Sequence, residues 1–349
     1  MIADNLTFLQ TDLDKIRWEE VNYSTVSVFQ TSGWVNYLGK AGIKVRVEVI
    51  LLEEEEIGFI LFSERRLGFL KHLGSPLPGT GTGFGGIVLY ETATSGYAGP
   101  TFSISEIYLS LMRYASKRAS YFSITDLNLA GENLDTEWPD SIKITSKQHY
   151  FLDLSREWDE IYRSFKDKSC RYEYRKGLKN GLSVSFGLDI SSFITHHFKH
   201  ISNVYNRKGL VPTFSRNRLQ YIAESLYPDN VLLGVCLNEN KEPVASCIIV
   251  FNEYCAFLTT AACLDLWLGK GANEFLMVQC IQEVRNRGAK KMEFGGGMKY
   301  KEKYGTVPLH IPTIEYSASY NPDYEVLKSA FRKIRKRPLV KTLIRWINN

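Results

Sequence analysis

The sequence predicts an α/β protein of two tandem domains, each a mixed sheet flanked by helices. Three observations predict it. At 349 residues the chain exceeds one ordinary domain and is a comfortable length for two. Both halves run in the order hairpin, loop, helix, strand, an internal duplication of pattern with little residue identity behind it. Apolar residues make up 44% of the chain and charged ones 23%, the balance of a packed globular protein rather than a disordered one.

In the first half, residues 1–150, SGWVNYL over 32–38 reads as a short helix with Ser32 as its N-cap. VRVEVILLEEEEIGFILFSERR over 45–66 places two β-rich runs around an acidic turn, the pattern of an antiparallel hairpin. A glycine-dense loop follows, and PGTGTGFGG over 78–86 reads as a lid or interdomain loop rather than a phosphate cradle, because no strong helix opens behind it. Residues 104–119 carry apolar positions at helical spacing with a basic end, and 120–129 form a strand.

The boundary falls between His149 and Leu154, and the second domain takes 151–320. Residues 155–181 read as one helix, opened by Ser155 and closed by Gly181. A strand at 182–186, helices at 190–206 and 217–225, and three strands within 231–262 follow, with turns at NENKEP and NE. GKGANEFLMVQCIQEVRNRGA is a long amphipathic helix, and KKMEFGGG the strand after it.

Residues 321–349 form a basic amphipathic tail with eight Lys/Arg against two Asp/Glu, a charge of +6. The other 320 residues hold 35 basic and 36 acidic side chains, so the body is neutral and DNA is not an expected partner. Two readings of the tail stay open. It lies on an anionic membrane surface, or it packs on the body with its charges in water; Pro338 interrupts its helix. Apolar stretches are too short to span a bilayer, and the N-terminus has acidic residues and no apolar signal core. The six cysteines have no zinc spacing and read as buried free thiols, so a cytoplasmic protein is expected, with the tail as a peripheral contact at the inner membrane face. His196 and His200 have the i, i+4 spacing of metal ligands, but no third ligand is evident; surface histidines on an amphipathic helix are the expectation, and no metal.

Two glycine clusters bear on chemistry. Gly269 and Gly271 precede a helix N-terminus, which favours an anionic group such as a pyrophosphate. They lack the spacing of a dinucleotide site or a P-loop, and an ordinary loop is the commoner origin of such a pair. Gly295, Gly296 and Gly297 end a strand, with Tyr300, Lys301 and Tyr304 just beyond.

GAKKMEFGGGMKYKEKYG resembles the terminal motif of FemAB-like and BioF2-like acyltransferases, which are double GNAT-fold proteins. RYEYRKGLKNGLSV over 171–184 resembles that family's basic helix, and FQTSGWVNYL over 29–38 its aromatic opening helix. The three matches occur in the family's order and span most of the chain. The long coiled-coil insertion of some aminoacyl-tRNA-using members is missing. The resemblance implies two GNAT-like domains, with catalysis mainly in the second. It implies transfer of an acyl group to an amine on a small-molecule or lipid-linked acceptor: a sugar, nucleotide-sugar or cell-envelope precursor. Acyl-CoA is the expected co-substrate, with Gly269, Gly271 and Gly295–Gly297 in its binding. Aminoacyl-tRNA is the alternative donor, and a non-catalytic scaffold at the membrane is the rival of another class.

On this resemblance Lys301 stabilises the oxyanion or holds an acceptor phosphate. Tyr300 and Tyr304 assist by packing or hydrogen bonding. Arg171, Arg175 and Lys176 clamp an anionic substrate, and Trp34 belongs to a substrate surface. A solvated basic face is the ordinary alternative for every cation in this group. The general base stays open among Glu293, Asp265, Glu253 and His149.

Overall fold

The computed structural model describes residues 6–67, 70–91, 104–132, 134 and 138–318; the tail at 321–349 lies outside the described residues. Among these residues the chain divides into two compact units. Residues up to Lys147, with those from His310 onward, form the first unit, and Gln148–Leu309 the second. The segment from His310 therefore lies in the first unit, although the sequence places everything to 320 in the second. Its partner strand explains this, since Thr313–Ser317 pair antiparallel with 121–125.

The first unit contains β1 (Leu6–Thr11), β2 (Lys44–Leu52), β3 (Glu55–Leu67), β4 (Leu70–Ser75), β5 (Ile87–Leu89), β6 (Tyr121–Thr125) and most of β13 (Val307–Ser317), with helices α1 (Ser32–Lys40) and α2 (Ile104–Ser116). Its sheet runs β1-β2-β3-β4-β6-β13. All pairs are antiparallel except β4 with β6, the two strands that α2 connects. Alternation in KVRVEVILL sends Ile50 and Leu52 to a core under α2, with Tyr108, Leu111 and Phe122. Val47 and Val49 go to a second cluster with Phe59 and Tyr90.

The second unit contains the end of β7 (Ile142–Asp153), β8 (Ser183–Ser185), β9 (Val231–Leu237), β10 (Pro243–Phe251), β11 (Ala256–Cys263) and β12 (Lys291–Gly296). Its sheet order is β7-β12-β11-β10-β9-β8. Again one pair is parallel, β11 with β12, and again a helix, α8 (Ala272–Asn286), connects it. Apart from β5, which pairs with β3, this repeats the strand order of the first unit, so the duplicated sequence pattern corresponds to a duplicated topology. Phe275, Leu276, Val278, Cys280, Ile281 and Val284 of α8 are all buried in one cluster. At about 1.5–3 kcal/mol for each large apolar side chain, that burial anchors the unit.

Several local expectations change. Thr31, not Ser32, caps α1, its hydroxyl accepting from the Trp34 amide at 3.3 Å. The helix expected over 155–181 is broken into α3 (Trp158–Ser164) and α4 (Tyr172–Lys179), with a wide turn at 167–171 between them. Phe165 and Lys166 are extended there, because Phe165 plugs the core and the Lys166 amide bonds to Lys303 O at 2.9 Å.

The 78–86 loop is packed rather than a lid. Gly85 N donates to Thr125 O at 2.9 Å, Gly86 N to Ser75 Oγ at 3.0 Å, and Gln30 Nε2 to Gly86 O at 3.1 Å. A Cβ on Gly85 or Gly86 would collide with Ser75 or Asp126.

Helices α5 (Ile190–Arg207), α6 (Arg216–Leu226) and α7 (Asp265–Leu268) come before α8, and the histidines of α5 are not all superficial. His197 and His200 are buried, and their Nδ1 atoms both lie 2.8 Å from Ser246 Oγ on β10. His200 Nε2 is 3.2 Å from Pro243 O and must donate, so its Nδ1 accepts the Ser246 proton. Ser246 Oγ then accepts from His197 Nδ1–H, leaving His197 Nε2 to accept from Thr260 Oγ1 at 2.6 Å. Burial holds both rings neutral, lowering His197 to about 3 and His200 to about 4.

Candidate active site

The site grows from the place where β11 and β12 part. Their parallel register has only two rungs, Ala256 with Met292 and Phe257 with Glu293. Each strand then changes register against its other neighbour, β11 between the partners of Ile248 and Ile249, and β12 between Glu293 and Gly296. Such irregularities bend strands and turn side chains toward a gap. The matching pair in the first unit, β4 with β6, keeps four rungs, and the 78–86 loop packs on the end of β4. The open strand end therefore belongs to the second unit.

After β12 the chain turns through Gly295 (φ 81°) and Gly297 (φ 80°), conformations that a side chain disfavours. A six-residue 3₁₀ turn, Lys299–Tyr304, follows and is closed by Gly305 at φ 69°. This turn carries Lys301 back toward the strand it has just left. Lys301 is 8% exposed, and its Nζ donates to Gly296 O at 2.9 Å. Burial lowers its proton affinity, and Glu293 works in the opposite direction. Glu293, also buried, accepts a hydrogen bond from His149 Nδ1 at 2.8 Å. The Gly296 backbone lies against the same imidazole, since a Cβ there would be 3.8 Å from His149 Nε2. Three groups 144 and 8 residues apart thus meet around one glycine turn. An ionised carboxylate only accepts, which fixes the tautomer of His149 with Nε2 as its basic nitrogen.

The other expected residues divide. Tyr304 is buried and stacks on Phe294 with centroids 5.2 Å apart, so it supports the turn from beneath. Tyr300 is 59% exposed at the rim, with Lys303 Nζ 5.6 Å from its ring. Arg175 and Arg171 both pair with Asp167, at 2.9 and 3.5 Å, and Lys176 with Glu173 at 3.8 Å. Those cations stand on and beside α4. Trp34 is fully buried in the first unit, its Nε1 donating to Thr82 Oγ1 at 2.9 Å, so it pins the 78–86 loop.

Gly269 is open, with no atom within 4 Å of a Cβ position. Gly271 (φ 81°) is buried where α4 crosses the start of α8, and a Cβ would strike the Glu173 carbonyl oxygen. Gly177 of α4 meets Phe275 in the same way, at 2.7 Å, and Tyr174 stacks on that ring. The start of α8 is thus covered by α4, and Gly271 serves helix packing. His149 and Glu293 stood in the sequence only as two bases among four; their pairing across antiparallel β7 and β12 is what joins them.

No protein-family model matches the sequence, and no curated protein matches it. Among solved structures, FemX aligns at a TM-score of 0.60 with 13% identity, covering 85% of this chain and 94% of FemX. A conserved protein of unknown function from Bacteroides thetaiotaomicron VPI-5482 aligns at 0.55 with 10% identity, covering 90% of this chain and all of that one. Taken with the strand order shared by both units, this gives the chain the α/β fold of FemX, built from two topologically matching units.

Proposed function

We propose that the protein is an acyltransferase that forms an amide between an acyl donor and a primary amine, with the chemistry at the end of β12. The observation that carries the reading is the buried Lys301 ammonium beside the His149–Glu293 pair, set where β11 and β12 diverge. A donor carbonyl placed in that gap would meet a fixed positive charge as its oxygen becomes an oxyanion. His149, oriented by Glu293, takes the proton that the neutral amine nitrogen sheds as its C–N bond forms, and passes it to the departing thiolate or alkoxide as the donor's acyl–sulfur or acyl–oxygen bond breaks. Tyr300 at the rim, with Arg171, Arg175 and Lys176, meets an anionic part of the acceptor, in keeping with a sugar, nucleotide-sugar or cell-envelope precursor.

Acyl-CoA is the first donor to test, on the family resemblance. A second reading, aminoacyl-tRNA as donor, is favoured by one observation: α4 covers the start of α8, where the pyrophosphate was expected. Purified full-length protein is incubated with amino-sugar acceptors and either radiolabelled acyl-CoA or charged tRNA, and the products are identified by mass spectrometry. Amide product is expected with one donor class. Absence of product with both, under conditions where the protein is folded, would overturn the reading.

A further inference from the structure

The first unit holds a charge arrangement that acyl transfer in the second does not use. Residues 1–147 carry 13 Lys/Arg and 18 Asp/Glu, a net charge of −5. Five of those cations are nevertheless linked through one connected network that contains only two carboxylates, and two more, Arg113 and Lys117, line the groove beside it. Glu64 on β3 is buried, and around its carboxylate stand Arg46 at 3.2 Å, Lys44 and Arg66 at 3.3 Å, and Lys71 at 3.7 Å. Arg46 reaches on to Glu48 at 3.3 Å, which accepts the Tyr114 hydroxyl at 2.6 Å. The Arg118 guanidinium lies 3.7 Å over the Tyr114 ring. Beside it, Arg113, Tyr114, Lys117 and Arg118 with Leu6 and Phe8 line a groove of about 420 Å³ between β1 and the C-terminal end of α2.

Glu48 and Glu64 offset two of the seven charges, so the network and its groove together carry +5 while the other six cations and 16 acids of residues 1–147 carry −10. The carbonyl end of α2 accounts for Arg113, Lys117 and Arg118. It does not account for the four cations on the strands. Lys71 registers their crowding: burial lowers its proton affinity, Arg46, Arg66 and Lys44 lower it further, and Glu64 only partly opposes them. Like charges packed this closely are costly without a counter-charge.

We propose that this network is a binding site for a phosphate-bearing ligand, either a free phosphate ester or a lipid headgroup. Two guanidinium groups and two ammonium groups on adjacent strands match the several oxygens of a phosphate. The Lys44 and Arg66 side chains are 64% and 69% exposed, so their donors can turn from Glu64 to an arriving anion. Leu6 and Phe8 give the adjoining groove an apolar floor for the body of the ligand. The site does not depend on the acyltransferase reading.

The test uses the full-length chain, calorimetry with inorganic phosphate and pyrophosphate, and flotation with phosphatidylglycerol against phosphatidylcholine vesicles. Lys44→Gln/Arg66→Gln removes two exposed charges from the site. Lys143→Gln/Lys147→Gln removes two exposed charges elsewhere in the same unit and is the control. Both variants should melt within about 2 °C of the parent. Parent and control are expected to bind, with affinity at least tenfold weaker in the site variant and falling with added salt. Binding of phosphate or pyrophosphate assigns a free ester as ligand, and binding of phosphatidylglycerol vesicles alone assigns a headgroup. Arg66→Gln by itself should show a smaller loss in the same direction. A parent that binds neither probe, or a site variant that binds as well as the control, overturns the proposal.

Discussion

A lysine ammonium folded onto a single carbonyl oxygen is costly to bury, and a carboxylate close by offsets only part of that cost. Lys301 is in this position, donating to Gly296 O with Glu293 within electrostatic reach. Lys301→Met keeps the length of the chain and removes the charge. It is expected to lower kcat/KM by roughly 10²–10³, the scale of a lost oxyanion donor, while the melting midpoint moves little. Thermal melting beside steady-state kinetics checks this, and a collapse of stability that accounts for the lost activity would make Lys301 structural. Ser246 should show the converse. Ser246→Ala leaves His197 Nδ1–H and His200 Nδ1 without their shared partner, at a cost of about 1–3 kcal/mol for each buried group. Urea unfolding should show that loss, and turnover by the remaining folded protein should be unchanged.

At the scale of elements, the contact between α4 and α8 depends on two glycines used for two reasons. Gly177 lets the Phe275 ring approach, and Gly271 combines a positive φ with the passing Glu173 carbonyl. Gly271→Ala is expected to cost about 2 kcal/mol or more, since it pairs an unfavourable backbone conformation with a collision. Gly269→Ala, two residues earlier with open space and φ −80°, should stay within about 0.5 kcal/mol of the parent. Urea midpoints of the two variants separate these outcomes; equal losses would refute the packing role. The contrast also shows what a sequence can convey. Strands β9 to β11, helix α8 and the duplicated order were readable because apolar periodicity is local. The break at Phe165 was not, because a core contact and a bond to Lys303 impose it from 137 residues away. For the same reason Lys301 was expected in the family motif, while its burial and the His149–Glu293 pair required the sheet. Gly269 and Gly271 looked alike in sequence, and only the neighbouring helix tells them apart.

For the whole molecule, the titrating groups predict that acid weakens the second unit first. His197 and His200 have folded values near 3 and 4, below their ordinary 6.5, so the unfolded chain binds more protons as pH falls. Their contribution is full above pH 6.5. It is lost below that at up to about 1.4 kcal/mol per pH unit for each ring, until the folded values are reached. The first unit behaves differently. Burial would raise Glu64, but Arg46, Lys44, Lys71 and Arg66 hold it near 2, so its contribution persists down to pH 4.5 and is lost only as pH falls further toward 2. Burial lifts the Asp126 carboxyl to about 6, so acid relieves a cost there. Hydrogen exchange at pH 5, corrected for intrinsic rates, should therefore rise in β9–β11 against pH 7 while β2–β4 hold; a uniform rise would contradict this. The Ser246 bridge has one more consequence. It fixes opposite tautomers on two rings of the same helix, Nδ1–H on His197 and Nε2–H on His200. In ¹⁵N-labelled protein the pair should give two distinct imidazole signatures that coalesce into the free-histidine pattern on unfolding. The second unit thus carries its own isotopic reporter, readable without any attached dye.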